Sequence, residues 1–145
     1  MLDVPVVRLD PDLPLPCYAR PGDAGADLVA RQGVLLRGGG GRALVATGIA
    51  LALPEGFAGL VLPRSGLALR HGVTCLNAPG LIDSGYRDEL RVLLVNTDPE
   101  RDYRVERGDR IAQLVVQQVE HVRFGVVGSL EASARGEGGF GHTGR

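Results

Sequence analysis

The chain contains no lysine: all sixteen of its basic residues are arginine. That excludes mechanisms built on a primary-amine side chain, including Schiff-base chemistry and the Walker A phosphate loop. Cysteine is scarce too. Cys17 and Cys75 lie far apart with no metal-ligand spacing around either. A reducing compartment leaves both as free thiols, and neither is assigned any chemistry. No apolar run approaches the roughly 20 residues that cross a bilayer, and no basic stretch followed by an apolar one opens the chain. The formal net charge is −1, which argues against the basic stripe of a general nucleic-acid binder. A polyanionic ligand would therefore be met by a few local arginines. With 145 residues, the chain is expected to form one soluble, cytoplasmic domain with a respectable core and no membrane or nucleic-acid partner.

Helical periodicity is almost absent. Short apolar runs recur at regular intervals, punctuated by Gly, Pro and Asp, and predict strands over residues 4–8, 26–30, 43–53, 58–62, 73–77, 81–83, 90–96, 103–105, 110–120 and 125–127. One short helical turn is expected after Ser65. Pro21-Gly22-Asp23, Gly38 to Gly41, Pro54-Glu55-Gly56, Thr97-Asp98-Pro99 and Arg107-Gly108-Asp109 are turn chemistry. The pattern is that of an all-β barrel or sandwich of jelly-roll type. Residues 1–131 are expected to form the single β-barrel domain, and 132–145 a flexible arm.

That arm carries five glycines around Arg135, Phe140 and Thr143. Glycine loses much backbone entropy on ordering, so such a segment stays mobile until a ligand fixes it. Its chemistry suits a nucleotide. The amides of Gly139 and Gly141 can approach phosphate oxygens, Arg135 can fork onto them, Phe140 can cover a base and Thr143 can donate one more hydrogen bond. A plain disordered terminus has the same composition.

Four further segments place polar groups where a core strand would not. Asp27 interrupts Ala24-Gly-Ala-Asp-Leu-Val-Ala30, either as a site carboxylate or as a strand-end turn cap. Arg64-Ser65-Gly66 opens the helical turn, where amides and a hydroxyl can hold an anion, and where Ser65 can equally be an ordinary N-cap. Asn77-Ala-Pro-Gly-Leu-Ile-Asp-Ser-Gly-Tyr-Arg-Asp-Glu89 has turn residues at its centre. A hairpin there would bring Asn77, Asp83 and Tyr86 together, with Asn77 reading a base edge, Asp83 a candidate base for water and Tyr86 a sugar platform. Asp83-Ser-Gly as a simple turn beside a surface tyrosine is the alternative. Gln113, inside the apolar run 111–116, is either paired in the core or aimed at a ligand.

In this order and spacing the five segments closely resemble the five motifs of the trimeric deoxyuridine triphosphate nucleotidohydrolases, the dUTPases. AGADLVA resembles the first, PRSGLA the second, NAPGLIDSGYRDE the third, RGDRIAQL the fourth and RGEGGFGHTG the fifth. The detail looks most like the actinobacterial branch, in keeping with the arginine bias. The resemblance implies a jelly-roll homotrimer whose sites combine the third motif of one subunit, the first, second and fourth of another, and the arm of a third. It implies Mg²⁺-dependent hydrolysis of dUTP to dUMP and pyrophosphate, which keeps uracil out of DNA and supplies dUMP for thymidylate synthesis. Water attacks the α-phosphorus with Asp83 as base, and Asp27 holds one water of the metal. Arg64, Ser65, Gly66 and Gln113 contact the phosphate chain, Arg135 and Thr143 its γ end, and Phe140 stacks on uracil.

Two positions depart from the pattern: His142 stands where a serine is common, and Gly85 where many members carry Asp. Three alternatives stand beside this reading. A related dCTP deaminase would use a glutamate, here Glu89. A noncatalytic dUTPase-like trimer would bind nucleotide or a protein partner, and a purely structural jelly roll would do neither.

Overall fold

The computed structural model describes residues 2–134 and residue 136. Arg135, Gly139, Phe140, Gly141, His142 and Thr143 lie outside the described residues, and with them most of the proposed arm. Among the described residues, eleven strands and one short helix follow one another as β1 (Val6–Arg8), β2 (Ala26–Val29), β3 (Val34–Leu36), β4 (Arg42–Ala46), β5 (Ile49–Leu51), β6 (Phe57–Pro63), α1 (Ser65–His71), β7 (Val73–Cys75), β8 (Gly80–Ile82), β9 (Arg91–Asn96), β10 (Tyr103–Val105) and β11 (Arg110–Gln118). All ladders are antiparallel. A four-stranded sheet runs β2-β11-β6-β8, a three-stranded sheet β4-β9-β7, and two pairs, β1-β5 and β3-β10, complete a jelly-roll-type β fold.

Burial varies along the length of the longest strand. Along β11, Ile111, Ala112 and Leu114 are buried while Gln117 and Gln118 are exposed. The inward side chains meet Leu28, Leu36, Val45, Leu90, Leu94 and Val105 from the other ladders in one continuous core. Burial of this kind supplies most of the folding free energy, at about 25 cal/mol per Å² of apolar surface. Cys75 is buried in that core, and burial pushes its thiol up to about 11. Cys17 is exposed, and both cysteines are free.

Several expected elements change. The run 43–53 is two strands, because Gly48 between them has φ +77° and its amide donates to the Glu89 carboxylate instead of continuing a ladder. Val34–Leu36, not expected, pairs with β10. The strands flanking Ala78-Pro79-Gly80 do not form a hairpin with each other: β7 pairs with β9 and β8 with β6, so the turn crosses from one sheet to the other. Residues 125–127 are no strand. From 119 to 134 the chain has no regular element, and Val122, Phe124, Val126, Val127 and Leu130 are exposed in the single chain. The helical turn after Ser65 is present, but its N-cap is Arg64 and no side chain caps it, which corrects the N-cap reading of Ser65. Gly72 closes α1 in the left-handed region, at φ +64°, with its amide on Ala68 O.

Candidate active site

Two groups of the expected residues are gathered by the fold. The first lines a cleft of about 270 Å³ whose walls include Asn77, Gly80, Ile82, Asp83, Tyr86 and Arg91. Although the expected hairpin is absent, the crossing turn and the loop after β8 still bring Asn77, Asp83 and Tyr86 to one opening. Asp83 and Asn77 are exposed there. The Tyr86 amide donates to Asp83 O at 3.1 Å, which makes a turn of residues 83–86. The Tyr86 hydroxyl donates to the Glu89 carbonyl at 2.9 Å. With its hydroxyl engaged, the tyrosine has its ring left to offer a ligand. Aliphatic side chains, among them Leu44, Val61 and Val92, line the cleft beside these polar groups, the setting in which a few polar groups orient a ligand.

The second group surrounds Asp27. This residue is the second of β2, only 6% exposed, and its amide donates to Cys17 O at 2.9 Å. The turn-cap reading therefore fails: the carboxylate reaches across to two arginines. Arg110 Nη1 donates to Oδ2 at 3.1 Å, and Arg64 Nε lies 3.4 Å from Oδ1. Arg64 Nη1 also donates to the Arg110 carbonyl at 3.1 Å, which ties Arg64 to the start of β11. Oδ1 makes no hydrogen bond despite full burial. Gln113 stands opposite Asp27 in the β2-β11 register. A Cβ at Gly25 would lie 3.0 Å from Cβ of Gln113, so the glutamine side chain passes over the bare backbone there. Ser65 and Gly66 follow Arg64 into α1, and the guanidinium of Arg70 folds back over Gly66.

The sequence reading missed Arg110 and Arg70. Arg110 is legible only from the fold, which pairs its strand with the one holding the buried carboxylate. An unpaired buried Asp would be costly, so an arginine had to be near. Glu89, the carboxylate of the deaminase alternative, is absent from the cleft wall. It accepts from the Gly48 amide at 2.9 Å and from Arg31 Nη1 at 3.2 Å.

The two groups share β6: Val61, in the middle of the strand, lines the cleft, and Arg64 follows the strand's last residue. Gly59 pairs with Ile82, the residue before Asp83. At about 3.3 Å per residue, Gly59 and Arg64 are roughly 16 Å apart along the chain.

A polar-rimmed cleft and an arginine pair around a buried carboxylate, carried on one jelly-roll scaffold, suit a nucleotide hydrolase, and the relatives of this chain are of that class. The dUTPase family model matches residues 12–144. A deoxyuridine 5'-triphosphate nucleotidohydrolase of Thermobifida fusca is 61% identical over 141 residues, covering 97% of this chain and 78% of that protein. One from Corynebacterium glutamicum is 53% identical, covering 98% and 95%. Among solved structures, the Staphylococcus bacteriophage 80alpha dUTPase with dUPNHPP superimposes with a TM-score of 0.88 at 27% identity, each chain covered in full. The chain belongs to the dUTPase family, and its similar relatives include several from actinobacteria.

Among the described residues no helix is long and apolar enough to cross a membrane.

Proposed function

We propose that the chain hydrolyses dUTP to dUMP and pyrophosphate in a homotrimer whose active sites are shared between subunits. The observation that carries this reading is the division of the site residues along β6. Gly59, whose register partner Ile82 precedes Asp83, stands roughly 16 Å along β6 from Arg64. General-base attack needs the carboxylate within hydrogen-bond reach of the attacking water, and the water in line with the phosphorus. With the segments that carry Asp83 and Arg64 set apart along β6 in one chain, the cleft of one copy facing the arginine group of another would bring both to one phosphorus atom. The exposed apolar side chains of residues 122–130 supply further surface that an assembly could bury.

In the composite site the uracil enters the cleft, where main-chain groups and the Asn77 amide meet its donor and acceptor edge. Cytosine presents the wrong edge and leaves buried groups unpaired, which discriminates strongly. The methyl of thymine overlaps the wall. Tyr86 lies under the deoxyribose, so a 2′-hydroxyl finds neither room nor partner. Asp83 orients a water and takes its proton as the oxygen attacks the α-phosphorus. The bond from that phosphorus to the bridging oxygen breaks, and pyrophosphate leaves. Arg64, Ser65, the Gly66 amide and Gln113 hold the phosphate chain. Arg135, Gly139, Phe140, Gly141 and Thr143 of the arm close over the nucleotide, excluding water from the reacting phosphates.

The residues present fit Mg²⁺ held chiefly by the substrate. No group of three or more His, Cys, Asp or Glu converges among the described residues, so the chain builds no cage of its own there. Asp27 offers one buried carboxylate oxygen that lacks a hydrogen bond. That suits a cation which keeps most of its water shell and is held through one water by Asp27. When bound to the triphosphate oxygens, Mg²⁺ supplies charge neutralisation for the leaving pyrophosphate.

The test is pyrophosphate release from dUTP with Mg²⁺, beside dCTP, dTTP and UTP, with products identified. Release from dUTP alone, giving dUMP, is expected. Ammonia from dCTP would instead establish a deaminase, and silence on all four a binding protein.

A further inference from the structure

We propose that Glu89 is a positioning residue for the nucleotide cleft: its side chain anchors the end of the loop after β8, so that its main-chain carbonyl fixes the Tyr86 ring. Burial holds that ring only in part, since Tyr86 is 36% exposed. Asp83, Gly85, Tyr86, Arg87 and Asp88 are all exposed, and only at Glu89 and Leu90 does the chain re-enter the interior. Tyr86 is held at its outer end by the hydrogen bond from its hydroxyl to Glu89 O. The ring is therefore only as well placed as that carbonyl.

The carbonyl is placed by a convergence on Glu89 from distant parts of the chain. Its Oε1 accepts from the Gly48 amide at 2.9 Å and from Arg31 Nη1 at 3.2 Å, and the side chain is 11% exposed. The adjacent Leu90 is fastened to the same segment, its amide donating to Ile49 O at 2.8 Å and its carbonyl accepting from the Thr47 hydroxyl at 2.7 Å. Arg31 is in turn held, donating to Leu9 O at 3.2 Å and lying 3.5 Å from Asp10. Arg107 completes the frame, donating to Asp10 and to the Arg31 carbonyl. A buried carboxylate with two donors resists displacement, since moving it would leave both the amide and the guanidinium without a partner. Glu89 thus acts on the ligand through Tyr86 and never touches it.

The chain has three tyrosines and no tryptophan, so each ring can be followed in the full-length protein with ¹³C-labelled tyrosine. Tyr86→Phe identifies the Tyr86 signal. Glu89→Ala is expected to shift and broaden that signal while leaving those of Tyr18 and Tyr103 in place. Glu89→Gln, whose amide oxygen can still accept from Gly48, is expected to restore most of it. Where Glu89→Ala does not fold, Glu89→Asp, one methylene short of Gly48, gives the same readout. A Tyr86 signal unchanged by loss or shortening of the side chain overturns the proposal, whatever the substrate.

The kinetic arm rests on the dUTPase reading. Glu89→Ala is expected to raise KM for dUTP roughly three- to tenfold, the worth of one hydrogen bond, and to narrow the preference for dUTP over UTP. Tyr86→Phe should do the same, and the double variant should add little. Asn96→Ala, which removes a buried side chain that bonds Leu36 O and Arg101 O, should lower thermal stability without changing either readout. A moved Tyr86 signal with an unchanged sugar preference supports the positioning role and overturns instead the placement of Tyr86 under the sugar.

Discussion

Three aspartates show how surroundings assign different tasks to one side chain. Asp83 is exposed at the rim of the cleft, free to meet water, whereas Asp27 is buried between two arginines and is suited to fixing a position rather than moving a proton. Replacing Asp83 by Asn keeps the shape and removes the proton acceptor. Turnover of dUTP should fall by roughly 10²- to 10⁴-fold, while calorimetric titration with a non-hydrolysable analogue should show binding largely intact. Full activity of Asp83→Asn would reassign the base. Asp10 serves stability. The hydrogen bond from Arg107 is the main cause that holds its carboxyl down at about 2, against an ordinary value of 3.8. A carboxylate more acidic in the folded state contributes stability that is full above its unfolded value and is lost as pH falls through the folded one. Thermal melts of the parent should therefore decline between about pH 4 and about pH 2. Asp10→Asn should melt lower at neutral pH and lose less over that acid window.

At the scale of elements, hydrophobic runs revealed where strands lie but not where they end or what they pair with. Residues 43–53 are apolar almost throughout, yet the strand breaks at Gly48, which takes a positive φ and gives its amide to a glutamate far along the sequence. Nothing local announces that partner. A Cβ at Gly48 would stand 2.9 Å from Cβ of Asp10 and 3.3 Å from Leu13 Cδ1. Gly48→Ala should therefore cost at least the roughly 1–2 kcal/mol of a left-handed non-glycine residue, read as a lower melting temperature. An unchanged melt would mean that the segment relaxes freely. Pairing was equally hidden around Ala78-Pro79-Gly80, because alternation along β7 and β8 is satisfied by any neighbour with an apolar face, and the neighbours were β9 and β6. The candidate site was more legible than the pairing. Polar residues inside apolar runs, Asp27 and Gln113, or at turn signals, Asn77 and Asp83, stand out by type alone. Arg110 did not, since an arginine at a strand start reads as ordinary surface. The arm should be separable from the barrel, so truncation before Arg135 is expected to cost activity while leaving the melting temperature near that of the full chain. A loss as large as that of a core variant would place the arm in the core.

At the scale of the whole molecule, the proposed division of the site between copies would make activity a property of assembly. Symmetric closed oligomers present the same contact at every interface, so every site of the proposed trimer draws its cleft from one copy and its phosphate arginines from another. Asp83→Asn spoils only the cleft a subunit offers, and Arg64→Ala only the phosphate side. Each variant alone should form inactive trimers. When the two are unfolded, mixed in equal amounts and refolded together, a site is intact where an Arg64→Ala subunit supplies the cleft and an Asp83→Asn subunit the phosphate side. Random mixing gives that arrangement at half times half, about one site in four, so roughly a quarter of the parent activity should return. Mixing folded trimers without exchange should return none. If each chain carried a complete site, no mixture could recover activity, because every subunit would contain one of the two lesions. Sedimentation of the parent at three times the chain mass, together with recovery on co-refolding, would support the shared site. A mixture as inactive as its components would confine the chemistry to one chain, and the 16 Å along β6 would then have to be closed by movement of the loop that carries Asp83.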